Sequence, residues 1–236
     1  PRVWFGERWI TSIFDLFEEN VRYFPSLLPE LSDEDPKAEL AAGRTPALHE
    51  LRLHNGTVYR WNRPVYDVVR GRPHLRVENR VLPAGPTVID MMANSAFYYG
   101  LLRTLSEEDR PLWTKLSFAA AEHNFTAAAR DGIEARLYWP GLGEVTADEL
   151  TLRRLLPMAD AGLRRWGVAG EVRDRFLGVI EGRAKTGRNG ATWQVGTVHA
   201  LQRNGLSRPH ALAEMLRLYC ERMHSNAPVH TWDGPR

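Results

Sequence analysis

Cysteine is almost absent from this 236-residue chain, where Cys220 stands alone. A single thiol excludes a disulfide framework and a cysteine-built zinc site. Lysine is nearly as scarce: Lys37, Lys115 and Lys185 are the only three among 31 basic residues. The arginines that replace it do not gather on one face or tail, so no nucleic-acid footprint emerges. Acidic residues number 29, which leaves a formal net charge of +2. No run of about 18 apolar residues exists, so no membrane-spanning segment is expected, nor is a signal peptide. Catalytic signatures are missing too. Gly-x-Ser-x-Gly, the phosphate loop Gly-x-x-x-x-Gly-Lys-[Ser/Thr] and the zinc pattern His-Glu-x-x-His are all absent, which argues against an α/β-hydrolase, a P-loop enzyme and a zinc enzyme. No internal repeat or low-complexity stretch is present.

Core-forming residues are plentiful: eight Trp, eight Phe and seven Tyr, enough to exclude general disorder. The chain opens on Pro1, with apolar Val3-Trp4-Phe5 following at once, and is expected to be a piece of a longer polypeptide. Helical spacing of Trp9, Ile13, Leu16, Phe17 and Phe24 predicts a helix over about 7–24, ended by Pro25 and Pro29. Residues 29–46 suggest an exposed loop. The period then shortens. Strands are expected near 47–53, 57–63 and 74–82, with His54-Asn55-Gly56-Thr57 as a turn between the first two, because Asn-Gly favours positive φ. A loop with Gly71 and Pro73 precedes the third strand.

From Thr87 onward the pattern is helical. Thr87 and Asp90 form a start signal, and helices are expected near 88–104, 108–130, 146–166 (interrupted at Pro157), 171–186, 190–203 and 208–224. Residues 134–139 form a strand or extended loop, and the tail from Asn226 to Arg236 is expected to be extended. The fold class is therefore α+β. A sheet portion spans about 47–83 and a helical portion about 87–225 of one domain.

The third strand carries the chemistry. Arg76, Glu78 and Arg80 lie two residues apart and share one sheet face. Two readings follow from spacing alone: a cross-strand ion-pair lattice on a solvated face, or a phosphoryl-transfer site in which the carboxylate holds a divalent cation and guanidinium groups neutralise phosphate.

The run Tyr59-Arg60-Trp61-Asn62-Arg63-Pro64, followed by Leu75-Arg76-Val77-Glu78-Asn79-Arg80 and Pro83, Gly85-Pro86-Thr87, resembles the glutamate–cysteine ligase superfamily. Glutamine synthetases share the Arg-x-Glu-x-Arg strand. The likeness is greatest to second-type bacterial carboxylate–amine ligases, which Asn189-Gly190-Ala191-Thr192-Trp193-Gln194 also resembles. The resemblance implies a glutamine-synthetase-like antiparallel sheet, here the C-terminal half of one catalytic domain, with the N-terminal half supplied elsewhere. It implies a cytoplasmic ligase of thiol biosynthesis that uses ATP, Mg²⁺, glutamate and an amine such as cysteine, and that is compatible with a homo-oligomer. Within it Glu78 is a metal ligand, Arg80 faces the γ-phosphate or acyl phosphate, and Arg63 faces the phosphate chain. Arg76, Tyr59, His54, Trp193 and Gln194 are candidate substrate or nucleotide contacts. Asn79 departs from the hydrophobic residue many members carry there.

Each weaker candidate has a structural alternative. His54 can simply fill a turn position, and Tyr59 can be core. Gly187-Arg188-Asn189-Gly190 can be a helix connection rather than an anion site. Arg60 does not share a face with Arg63, because the offset is odd. Cys220, among Leu212, Met215, Leu216 and Met223, is expected to be a buried inert thiol. Two other functional classes stay open: an inactive interaction or regulatory module of the same fold, and a plain helical scaffold.

Overall fold

The computed structural model describes residues 5–233. The expected apolar opening at Val3-Trp4 and the last three residues of the expected extended tail lie outside that range. The chain is α+β, with two small antiparallel sheets among its helices. It divides into two compact units, Pro1–Leu82 and Pro83–Arg236.

In the first unit, α1 (Ile13–Tyr23) starts later than its apolar spacing suggests. The Asp15 carboxylate accepts bonds from the Thr11 backbone N–H at 2.7 Å and its hydroxyl at 3.1 Å, which fixes the preceding residues as a turn. A second helix, α2 (Pro36–Ala41), occupies part of the expected loop. Its start signal is in the sequence: Asp35 caps the N–H groups of Lys37 and Ala38, with Pro36 in the first turn.

The largest correction is α3 (His49–Thr57), which replaces both the strand expected near 47–53 and the turn at 54–57. Leu48 and Leu51 stand three apart, a helical interval. The chain enters through Leu48 at φ 49°, while the Glu34 carboxylate accepts the N–H groups of Ala47 and Leu48 at 2.6 and 2.8 Å. Asn55 and Gly56 end a helix rather than a hairpin.

The hairpin lies further on. Strand β1 (Asn62–Val69) pairs with β2 (Arg72–Asn79), so the strand expected at 57–63 overlaps the observed one only at its end, and that expected at 74–82 starts and stops earlier. The two-residue turn is Arg70-Gly71, both at positive φ (51° and 74°), the combination of a type I′ hairpin. Pro64 does not stop β1. The Arg80 N–H bonds the Trp61 carbonyl at 2.7 Å, so odd-numbered residues of β1 face β2 with their backbone bonds. The nitrogen of Pro64 points to the outer edge, where no donor is required.

The second unit is built on α4 (Val88–Ser106), α5 (Phe118–Asp131), β3 (Arg136–Trp139), β4 (Gly143–Thr146), α6 (Ala147–Leu150), α7 (Leu156–Arg165), α8 (Gly170–Thr186), α9 (Gly190–Arg203) and α10 (Arg208–Ser225). Helix α5 begins ten residues later than expected, after a 3₁₀ turn at Leu112–Thr114, because Ser117 caps it. The helix expected over 146–166 is interrupted by a π-helical turn at Thr151–Leu155. Pro157, which lacks an N–H, follows at once and accounts for the displaced bonding. Helices α4 and α7 approach so closely that a Cβ on Gly100 would sit 2.3 Å from the Ala159 carbonyl oxygen. The described part of the tail is not extended: it forms a 3₁₀ turn at Val229–Thr231 and buries Trp232 edge-on to Trp193 and Tyr219, centroids at 5.1 and 5.5 Å. Cys220 is exposed, contrary to expectation, because α10 turns Met215, Leu218 and Tyr219 to the core instead. No helix among the described residues is long and apolar enough to cross a membrane.

Candidate functional site

The hairpin register places Arg63 directly opposite Glu78. Arg63 donates from Nε to one oxygen of Glu78, Oε2, at 2.8 Å, with Nη2 2.7 Å from the same oxygen, and from Nη1 to the Gly56 carbonyl at 3.2 Å. Arg80, one residue past β2, reaches the same Oε2 from 3.5 Å and lays its guanidinium over the Tyr59 ring, 5.4 Å from the centroid. Two cations thus share one carboxylate oxygen, and Arg80 is the more loosely held. Glu78 Oε1 accepts no hydrogen bond among the described residues. Glu78, Arg80 and Tyr59, with Arg60 and Trp61, line a pocket of about 370 Å³, while Arg63 lines a neighbouring one with Asn55 and Gly56.

Two guanidinium groups against one carboxylate leave one positive charge in excess around Glu78. Arg63 is held by two hydrogen bonds and its ion pair with Glu78, which suits a preorganised cation. The Glu78 carboxylate is the single acidic group lining the pocket. Among the described residues no cluster of three or more His, Cys, Asp or Glu side chains could hold a metal ion.

Arg76 shares the sheet face but is not brought to Glu78. It sits opposite Val65, exposed. His54 is half-buried on α3, where its Nε2 meets the Asn20 carbonyl oxygen at 3.0 Å. Because that oxygen can only accept, Nε2 carries the hydrogen. Trp193 and Gln194 belong to the second unit. Trp193 is buried in the aromatic cluster, its Nε1 donating to the Asp233 carbonyl at 3.3 Å, and Gln194 Nε2 donates to the Gly190 carbonyl at 3.0 Å.

One feature of this region is not foreseeable from spacing. Arg60 is only 5% exposed. It donates to Asn20 Oδ1 at 3.0 Å and to Glu19 Oε2 at 2.7 Å, and Asn20 Nδ2 donates in turn to Asn55 Oδ1 at 2.9 Å. Since Arg60 can only donate, it fixes the orientation of both amides. This chain of bonds pins α1 and α3 to the segment that carries Tyr59 and Trp61. The only sequence signal was that Arg60 and Arg63 lie on opposite sides; its partners are forty residues upstream.

Among known proteins, the chain matches no family model, no curated protein and no solved structure.

Proposed function

We propose that the pocket lined by Glu78 and Arg80, with Arg63 paired to the same carboxylate, binds the phosphates of ATP, and that the chain is part of a cytoplasmic carboxylate–amine ligase of glutamine-synthetase-like fold. The observation that carries this reading is the convergence of two guanidinium groups on one oxygen of Glu78 while its other oxygen stays open. Mg²⁺ suits such a place in part, because it takes one or two carboxylates and completes its shell with phosphate and water. Glu78 Oε1 is the protein atom that would hold it. The ion would neutralise charge between the nucleotide phosphates. Further acidic ligands would have to come from outside the residues lining this pocket.

The reaction joins a carboxylate to an amine. A carboxylate oxygen, that of glutamate in this reading, attacks the γ-phosphorus of ATP and ADP leaves. The amine nitrogen of cysteine or another acceptor then attacks the acyl carbon. Phosphate departs with the C–O bond, and the amine loses a proton to water. Arg80, loosely tied, can shift from Glu78 towards the transferred phosphoryl group. Arg63, tied to Glu78 Oε2 and the Gly56 carbonyl, adds its charge beside the phosphate chain. Both counter charge that grows in the transition state, where such contacts act most strongly.

A second reading, an inactive interaction module, is favoured by the lack of a three-ligand acidic cluster among the described residues. Turnover separates the two. With ATP, Mg²⁺, glutamate and cysteine, ADP and phosphate release should fall by about 10²-fold or more in Glu78→Gln of the full polypeptide, as for loss of one preorganised transition-state contact, with an unchanged melting curve. No turnover in the unsubstituted protein favours the module.

A further inference from the structure

The two edges of the hairpin differ. The outer edge of β1 is closed to another strand: Pro64 has no N–H, the Val68 N–H is taken by Asp67 Oδ1 at 2.8 Å, and α3 packs alongside. The outer edge of β2 lacks a donor at Pro73 but is open at Leu75 and Val77. By the register, Leu75 and Val77 point their N–H and C=O groups away from β1. Their side chains are 54% and 48% exposed, and Leu75 also borders an apolar groove of about 570 Å³ formed with Phe14, Val21 and Leu51. On the opposite face Arg72, His74 and Arg76 stand exposed with no ion-pair partner among the described residues. An edge strand that exposes Leu75 and Val77 is a ready template for pairing, while its basic residues disfavour a second copy of itself, and a two-stranded ribbon gains stability from a third strand.

We propose that β2 is a docking edge for an extended segment of another polypeptide in which acidic and apolar residues alternate. Added antiparallel, such a strand exchanges backbone bonds with Leu75 and Val77. Its apolar side chains lie beside theirs, and its carboxylates stand opposite His74 and Arg76. The charge of the occupant follows from Arg72 and Arg76, which have no ion-pair partner among the described residues, and its alternation from the two-residue period of the strand. The proposal is independent of the ligase reading, since it uses neither Glu78 nor nucleotide.

The test is titration of the intact chain with a fluorescein-labelled peptide, Thr-Val-Glu-Val-Glu-Thr-Glu, followed by anisotropy and by backbone amide shifts. Saturable binding is expected, at least tenfold tighter than that of the analogue with Lys in place of Glu, with shifts at Leu75 and Val77. Methylating the backbone nitrogens of both peptide valines should abolish it without touching the protein. Arg76→Glu should reverse the preference between the two peptides. No binding at millimolar peptide, equal binding of both charges, or unchanged binding after methylation would overturn the proposal. So would concentration-dependent dimerisation of the chain that blocks the same amides, which would make a second copy the occupant.

Discussion

The two units solve burial differently. In the second, the most deeply buried charge, Asp90, is fully enclosed and fully spent: it accepts from Arg183 Nη2 at 2.6 Å, from the Thr87 hydroxyl at 2.7 Å and from the Val229 N–H. Around it apolar and aromatic side chains close on each other, Trp193 against Trp232 among them. The first unit is joined by polar bonds through Arg60, Asn20 and Asn55, and leaves Phe14, Val21, Leu75 and Val77 exposed. A closed core stabilises, whereas open apolar and charged surface is available for binding. The pocket at Glu78 and the strand edge both belong to the open unit.

That contrast can be broken from either side. Asp90→Ala strands Arg183 inside the second unit and should cost about 3–5 kcal/mol there. A melt resolved by tryptophan fluorescence and amide exchange should show the first unit unchanged. Arg60→Met leaves Glu19 and Asn20 without their donor, and should cost about 2 kcal/mol in the first unit by the same measurement. Acid separates the units more finely. Burial holds the His230 imidazole below its ordinary value of 6.5. The unfolded chain therefore binds the proton first, and the second unit loses stability as pH falls below 6.5. The Ser32 backbone N–H and hydroxyl hold Glu50 at about 2, against an ordinary 4.5. Its contribution to the first unit is complete above 4.5 and fades as pH falls towards 2. Amide exchange at pH 5.5 should thus report weakening in the second unit while Glu50 is still ionised. The smallest effect is expected for Val77→Thr at the open edge, within about 0.5 kcal/mol of zero in a denaturant melt.

Helices with a full apolar stripe and a cap were legible in the sequence. Gly190–Arg203 and Arg208–Ser225 lie within a residue of their expected ends, and Thr87 and Asp90 begin α4 as their spacing suggests. Between residues 47 and 69 local signals pointed the wrong way. Asn55-Gly56 is a strong hairpin signal, yet there it terminates a helix, because Glu34 secures the backbone at Ala47 and Leu48 from thirteen and fourteen residues upstream. The true turn, Arg70-Gly71, lacks the preferred asparagine. The pairing of Glu78 with Arg80 is local and follows from the two-residue period. That of Glu78 with Arg63 depends on register, which the expected loop with Gly71 and Pro73 does not specify. Arg76 illustrates the limit of spacing: it shares the face of Glu78 but lies opposite Val65, with nothing to draw it inward.

Equilibrium binding of ATP, with and without Mg²⁺, to the unsubstituted chain and to Glu78→Gln tests the phosphate pocket most directly. The pocket reading predicts saturable binding strengthened by Mg²⁺ in the former. In Glu78→Gln, where Arg63 and Arg80 are released from their carboxylate, ATP should still bind but gain nothing from Mg²⁺. No binding at millimolar ATP with Mg²⁺, or an equal Mg²⁺ effect in both proteins, would contradict it.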